Sequence, residues 1–387
     1  MPFDRRRFAV AVCGACAFAN LYATQPLLPL LGDEFAAAPA ETSFTLTAGI
    51  LSVALTAPVA GLLADGWGRK RVIVAAVLAL AIPTALAGLA GGLTELVVWR
   101  FLQGLCLPFI FAVTVAYIGE EWEPKDAAAV TGVYIAGTVV GGFMGRLAAG
   151  FVAEIAGWRG AFFALAALDA VMGLLIAWWL PRETRFKPGA GLRAALSAMA
   201  GHLKDPRLRA AFGVGFCLLF VLVATFTYAG FRLADPPYNF GAAALGAVFV
   251  VYLAGAASSP LAGRLAGRFG HRKVAALGAV VAMCGLSVTL AQPLWAIILG
   301  LAIATAGIFI TQSVATGYVA MTGAAARSAA VGLYVMAYYL GGSAGAVVPA
   351  AAWRLAGWPG VVVLVVIAEV FILTSAWLFW RAPAERA

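Results

Sequence analysis

The chain has 387 residues, of which 63% are apolar and only 11% charged, and its formal net charge is +9. A soluble domain carries roughly 25% charged residues, and a chain this apolar could not cover a water-facing surface with polar side chains. The composition excludes a soluble enzyme, a disordered scaffold and a secreted disulfide module. The long apolar runs argue against an outer-membrane barrel, whose strands alternate apolar and polar residues. The cysteines, Cys13, Cys16, Cys106, Cys217 and Cys284, all fall in apolar runs and read as small lipid-phase residues, not a disulfide framework.

The chain opens on DRRRFAV, faintly like a twin-arginine export signal, but the apolar run behind it is long and lacks a clear cleavage site. We read it as an uncleaved first span with a basic cytoplasmic anchor. A bilayer-crossing helix needs about 20 apolar residues. Apolar runs separated by polar punctuation predict twelve spans, at 8–31, 44–64, 72–92, 96–118, 128–153, 160–181, 209–231, 242–262, 274–291, 295–319, 329–352 and 358–380. The segment 182–208, basic and carrying Pro and Gly, is the one long interruption. It predicts an N-terminal six-helix bundle over 1–181, a cytoplasmic linker over 182–208 and a C-terminal six-helix bundle over 209–387.

Lysine and arginine set the orientation of a multi-span chain. With the N-terminus inside, the inner segments hold 21 of the 26 basic residues, and the outer loops hold only Arg159, Arg232 and Arg354. Arg100 and Arg146 lie within spans. Both termini are therefore expected on the cytoplasmic side, and the asymmetry accounts for most of the net charge with no nucleic acid as partner. The acidic inner loop EEWEPKD at 120–126 does not overturn this, because acids contribute little to the rule.

The two halves repeat. GVYIAGTVVGGFMG at 132–145 aligns with GLYVMAYYLGGSAG at 332–345, and Gly157-Trp158 with Gly357-Trp358, both at an offset of 200. GLLADGWGRKRV at 61–72 aligns with GRLAGRFGHRKV at 263–274, at an offset of 202. A duplicated six-helix half joined by a basic loop is the plan of many secondary transporters.

GLLADGWGRKRV, between spans 2 and 3, resembles the signature loop of the major facilitator superfamily: a Gly, then an Asp, then Gly-Arg-Lys/Arg. Its weaker copy sits between spans 8 and 9, where the family also carries one. RFLQG at 100–104 resembles the family's Arg-containing helix 4 motif. GTVVGGFMGRLAAG resembles the helix 5 motif of the drug:proton antiporter branch, without its proline. The resemblance covers essentially the whole chain and is nearest to bacterial inner-membrane permeases of the arabinose-efflux type. It implies the major facilitator fold: an all-α membrane protein with twelve transmembrane helices in two pseudo-symmetric six-helix bundles. We expect a monomer in the bacterial inner membrane, with no cofactor.

The signature loop suggests a conformational lock. Gly61 and Gly68 let backbones approach closely at a tight inner turn. Asp65 can accept hydrogen bonds from a helix N-terminus and interact with its dipole; the resemblance implies span 11, starting near Arg327-Ser328, as that partner. Arg69, Lys70 and Arg71 can pair with the acids ending span 4, Glu120 and Glu121. Plain positive-inside anchoring would account for the three cations but not for the Asp and two glycines. The second copy has Gly267 in place of Asp65, which makes the lock one-sided.

Four ionisable residues fall within spans, and each is a functional hypothesis by default. Arg100 either snorkels to the outer headgroups or, as the resemblance implies, is buried and serves binding or proton coupling, with Gln103 near the same face. The acid usual on the family's helix 1 is not evident: span 1 has no carboxylate before Asp33 and Glu34. Asp169 and Glu369 are repeat-equivalent, 200 residues apart, and read either as proton sites or as structural acids. Arg146 and Asp169 fall at similar depth on adjacent antiparallel spans, which predicts an ion pair; the alternative places Arg146 in a substrate site. Gly141, Gly142 and Gly145 allow close helix approach beside it.

The resemblance implies that spans 1, 4, 7 and 10 line a central cavity, with spans 5, 8 and 11 beside them. The substrate-binding candidates are then Asn20, Tyr22, Gln25, Gln103, Phe109, Phe226, Tyr228, Tyr252, Gln312, Tyr338 and Tyr339, each of which also reads as helix packing. The set is aromatic and amide-rich, which suits a neutral or amphipathic solute. The leading reading is a proton-coupled exporter of small drug- or sugar-like molecules working by alternating access. Its alternatives are a uniporter or importer of sugars or metabolites, or lipid translocation. With no metal-ligand cluster and no nucleotide-binding loop, an enzyme is not expected.

Overall fold

In hydrocarbon every backbone N–H and C=O must be satisfied within its own segment or by a close neighbour, so an apolar chain of this kind folds as helices. The computed structural model describes residues 4–64, 67–184 and 192–380. Among them every regular element is helical. The chain order begins with α1 (Arg5–Leu21), a 3-10 turn at Gln25–Leu27 and α2 (Leu28–Phe35). Next come α3 (Pro39–Ala64), α4 (Arg69–Gly88), α5 (Leu93–Glu121) and α6 (Pro124–Trp179). After α7 (Leu192–His202) and α8 (Pro206–Ala234), α9 (Ala242–Val248) passes through a 3-10 turn at Phe249–Val251 into α10 (Tyr252–Phe269). The last elements are α11 (His271–Val288), α12 (Leu294–Thr322), α13 (Arg327–Val347) and α14 (Pro349–Phe379).

Eleven stretches among the described residues are long and apolar enough to cross a membrane. One of them, α6, has 56 residues, which as a straight helix would measure about 84 Å against a hydrocarbon core of about 30 Å. It is two spans that turn at Gly157, whose φ of 71° only glycine adopts without strain. Counting it as two gives twelve transmembrane helices. Gly357, with φ 60°, makes the equivalent turn inside α14.

The helices form two compact units, Met1–Leu192 with Asn239–Phe249 and Arg193–Tyr238 with Val250–Ala387. The division falls at Leu192, inside the segment read as a linker. That segment carries the helix formers of α7, which pack with the second unit.

Within each unit the repeat is visible as physics. Asp4 caps α1 by accepting from the Arg6 and Arg7 amides at 3.0 and 3.3 Å. Asp205, 201 residues later, caps α8 by accepting from the Arg207 amide at 2.8 Å, and the Arg207 side chain holds its carboxyl below the usual range. In the first unit, small residues form a seam between α1 and α6: a Cβ added to Gly137, Gly141 or Gly145 would overlap the backbone of Ala11, Ala15 or Ala19. In the second, Gly341 and Gly345 of α13 meet the backbone of Phe216 and Phe220 of α8 in the same way.

The inner turn of the first unit is built around Gly68, the residue before α4, with φ 86°. Glu183 lies against it and accepts from the Lys70 amide at 3.2 Å, placing a carboxylate at the N-terminus of α4 where the dipole favours it. Gly68→Ala is therefore expected to lower the thermal midpoint in detergent. A left-handed φ costs a non-glycine residue about 1–2 kcal/mol, and the new methyl group would overlap Glu183. An unchanged midpoint would show that the turn relaxes freely.

The first span is broken between α1 and α2. Pro26 has no N–H to give to the carbonyl four residues back, so the chain tightens instead. The Ala23, Gln25 and Leu27 amides bond three residues back, to Asn20, Tyr22 and Thr24 oxygens at 3.3, 3.0 and 3.0 Å. The carbonyls at the end of α1 are thereby offered to side chains.

Candidate functional site

Arg100 of α5 takes up those carbonyls. It is 1% exposed, so it does not snorkel to the headgroups. Its Nη2 donates to the Leu21 oxygen at 2.7 Å and its Nη1 to the Asn20 oxygen at 3.1 Å, while Nε donates to the Thr45 oxygen of α3 at 3.2 Å. A cation at the C-terminal end of α1 also meets the negative end of that helix dipole. Room for the guanidinium comes from Gly49 and Gly104, which bring α3 and α5 into close contact beside it.

From Arg100 a chain of hydrogen bonds runs to a buried acid. Arg100 Nη1 donates to Gln103 Oε1 at 2.6 Å, and Gln103 Nε2 donates to Thr84 Oγ1 of α4 at 2.7 Å. Thr84 lies within donating distance of Asp169 Oδ2 at 3.3 Å and of its own helix carbonyl, Leu80, at 2.7 Å. Asp169, in the second span of α6, is fully buried. It also accepts from Asn20 Nδ2 at 2.6 Å and from Cys16 Sγ at 3.4 Å. Asn20 closes the circuit, since its backbone oxygen is bonded to Arg100. One positive and one negative side chain, from spans 4 and 6, are thus joined through neutral relays drawn from spans 1, 3 and 4. The Thr84 hydroxyl has a single proton and three competing acceptors, Leu80 O, Asp169 Oδ2 and, at 3.5 Å, Asn20 Oδ1, so its direction depends on how strongly Asp169 draws it.

The ion pair expected between Arg146 and Asp169 is not formed, because the two spans of α6 present them to different neighbours. Arg146, 3% exposed, donates from Nε to Gln25 Oε1 at 3.1 Å and from Nη1 to the Gly142 oxygen at 2.7 Å. Its guanidinium lies over the rings of Tyr22 and Phe249, 4.5 and 4.3 Å from their centroids. Arg146 therefore ties the break in the first span to the end of α9. Along the same seam α6 and α9 touch backbone to backbone at Gly150 and Gly246, and Glu154 accepts from the Ala243 amide at 3.0 Å.

At the inner end of the first unit, Arg69 donates to Glu120, with Nη2 2.7 Å from Oε1. Glu121 lies 3.5 Å from Arg6 and accepts from the Thr184 amide at 2.7 Å. Lys70 takes part through its backbone amide, and Arg71 is exposed. Asp65 lies outside the described residues, and so do the surroundings of Gly61.

The remaining candidates divide by surroundings. In the second unit Phe226 meets Tyr252 edge-on at 4.7 Å, and Tyr338 meets Tyr339 at 5.5 Å. The Tyr228 hydroxyl donates to the Ala346 oxygen at 3.1 Å and braces α8 against α13. Phe109 and Gln312 are half-buried. Glu369 has no exposed surface and, among the described residues, joins no network like that of Asp169. Sequence reasoning missed Thr84, Cys16, Phe249 and Glu183. A threonine in a membrane helix ordinarily bonds its own carbonyl, so nothing marked Thr84 out.

A family model for the Major Facilitator Superfamily matches residues 10–238, more than half of the chain. The chain belongs to the major facilitator superfamily. Among its relatives, the inner membrane transport protein YnfM of Escherichia coli (strain K12) is 33% identical, covering 93% of this chain and 86% of that protein. The MFS-type transporter YybF of Bacillus subtilis (strain 168) is 30% identical, covering 97% and 93%. Two solved structures share the fold. One is a bacterial homologue of the human lysosomal transporter Spinster, in an inward-facing and occupied conformation: TM-score 0.77, 15% identity, 96% of this chain and 95% of that one. The other is the nucleoside transporter NupG: TM-score 0.77, 14% identity, 97% and 100% covered. As a major facilitator protein the chain is a multi-pass membrane transporter of small molecules and not an enzyme.

Proposed function

We propose that this transporter is a proton-coupled exporter of small neutral or amphipathic organic molecules in the bacterial inner membrane, with both termini cytoplasmic. The observation that carries the reading is the circuit from Asp169 to Arg100 at the break in the first span. Protonating Asp169 removes its charge and its claim on the Asn20 amide and the Thr84 hydroxyl. The Thr84 hydroxyl then keeps its bond to Leu80, the Oγ1 to which Gln103 donates is no longer drawn toward the acid, and Arg100 is left to rebalance its hold on Gln103 and on the Asn20 and Leu21 carbonyls. A proton is thereby converted into a change in the joint between α1 and α2, the kind of differential interaction that shifts a two-state equilibrium. The aromatic and amide character of Tyr22, Gln25, Phe226, Tyr252, Tyr338 and Tyr339 supports a solute with little charge.

The test uses everted membrane vesicles with an imposed inside-acid gradient and a panel of neutral and amphipathic solutes, reading collapse of the gradient. A subset of solutes is expected to release protons from wild-type vesicles. Asp169→Asn, which keeps the shape of the side chain, is expected to remove that release while solute-for-solute exchange continues. Full gradient-driven movement in Asp169→Asn would remove Asp169 from the coupling.

A further inference from the structure

The second unit buries an acid that this circuit does not use. Glu369, on α14, has no exposed surface, and neither of its carboxyl oxygens has a hydrogen-bond partner among the described residues. The repeat shows how its surroundings differ from those of Asp169. Asp4, Gly14 and Cys16 of α1 recur 201 residues later as Asp205, Gly215 and Cys217 of α8. Cys217 stands in electrostatic reach of Glu369, as Cys16 stands beside Asp169. The donors do not recur. At the offset of 201 Asn20 becomes Val221, Arg100 becomes Leu301 and Gln103 becomes Ala304, and at the offset of 202 carried by the inner-turn copy before it Thr84 becomes Leu286. The second unit has kept the acid and the thiol, and has aliphatic side chains where the first has the carboxylate's donors Asn20 and Thr84 and the relay behind them, Gln103 and Arg100.

That replacement decides the form of the acid. A carboxylate buried without donors is far more costly than a neutral carboxyl group. α14 packs against α8, α11 and α13. The charged or titratable cations on these elements, Arg207, Arg209 and Arg232 of α8, His271, Arg272 and Lys273 of α11 and Arg327 of α13, all stand in end turns. Among the described residues neither carboxyl oxygen of Glu369 has a polar partner; the thiol of Cys217 lies in its electrostatic reach. A neutral carboxyl group here still leaves two polar atoms unsatisfied, so an aliphatic residue would fill the place at lower cost.

We propose that Glu369 is a second proton-binding site, belonging to the second unit and separate from Asp169, loaded in the state seen here and emptied when helix movement admits water. In the release step the Oε–H bond breaks, its electron pair stays on the carboxyl oxygen, and the proton passes to water. The proposal does not depend on Asp169 being the coupling acid.

The experiment is infrared difference spectroscopy of the purified full-length protein in lipid, with protons and deuterons as the only probes. A carboxyl carbonyl without hydrogen bonds absorbs at higher frequency than a bonded one, so Glu369 and Asp169 give separable bands. At mildly acidic pH a high-frequency band is expected in wild type and in Asp169→Asn, and its complete loss is expected in Glu369→Gln. It should shift in heavy water and fade reversibly as the pH is raised with the protein still folded. Should Glu369→Gln not fold, Glu369→Asp assigns the band by displacing it. Absence of the band at every pH would mean that Glu369 holds no proton. A band that neither exchanges nor fades would make it a fixed structural acid. Either result overturns the proposal, and neither bears on Asp169→Asn.

Discussion

Arg100→Ala is expected to abolish gradient-driven transport and to destabilise the first unit by about 3–5 kcal/mol, the cost typical of breaking a buried charge network. The change strips a donor from each of the Leu21, Asn20 and Thr45 carbonyls and from Gln103. A buried polar group left unsatisfied costs about 1–3 kcal/mol, and the Leu21 oxygen cannot recover its helical partner, because the Gln25 amide is bonded to Tyr22. The relay from Gln103 through Thr84 to Asp169 would also lose the cation that anchors its far end. Arg100→Lys should recover expression but not transport. A compact ammonium group cannot span carbonyls on α1 and α3 and the Gln103 amide at once, as the planar fork of arginine does. Thermal midpoints in detergent and solute-driven gradient collapse read the two effects separately. Lysine at this position with full transport would reduce the requirement to charge alone.

Much of this was legible in the sequence, and the missing parts have physical causes. Spans announce themselves as apolar runs, and the turn at Gly157-Trp158 was readable because it recurs at Gly357-Trp358. The burial of Asp169 and Glu369 followed from their position in those runs, whereas for Arg100 position left snorkelling and burial both open. Helix rotation did not. The spans of α6 are apolar nearly all round, so no amphipathic stripe says whether Arg146 turns toward Asp169 or toward Gln25. The break in the first span was hidden for a related reason. Proline is tolerated in membrane helices because neighbours re-satisfy the freed carbonyls, so Pro26 inside the run 8–31 carries no signal until Arg100 is seen at Leu21 and Asn20. The Asp169 site needs Asn20 and Thr84, 149 and 85 residues away, and only the packing of α1, α4 and α6 brings them together.

Arg146→Ala is expected to be nearly as damaging, by another route. Arg146 holds two elements at once: Gln25 and Tyr22 at the break, and Phe249 at the end of α9. Desolvated cation–π contacts contribute up to about 2 kcal/mol each, and the bonds to Gln25 and Gly142 add about 1.5–3 kcal/mol each as hydrogen bonds to a charged group. Because these terms are not independent, a net loss of about 3 kcal/mol is the reasonable expectation. Arg146→Lys keeps the charge but neither the planar stacking nor the fixed donor to Gln25, and should fall between the two. Phe249→Ala removes one face of the cage and leaves Gln25 bonded, so its loss should be smaller and should not add to that of Arg146→Ala in the double variant. Thermal melting of the four proteins tests this as a double-mutant cycle. Additive losses would mean that Arg146 and Phe249 act separately. In that case Glu154 at the Ala243 amide, with the Gly150 and Gly246 seam, holds α9 on the first unit without the arginine.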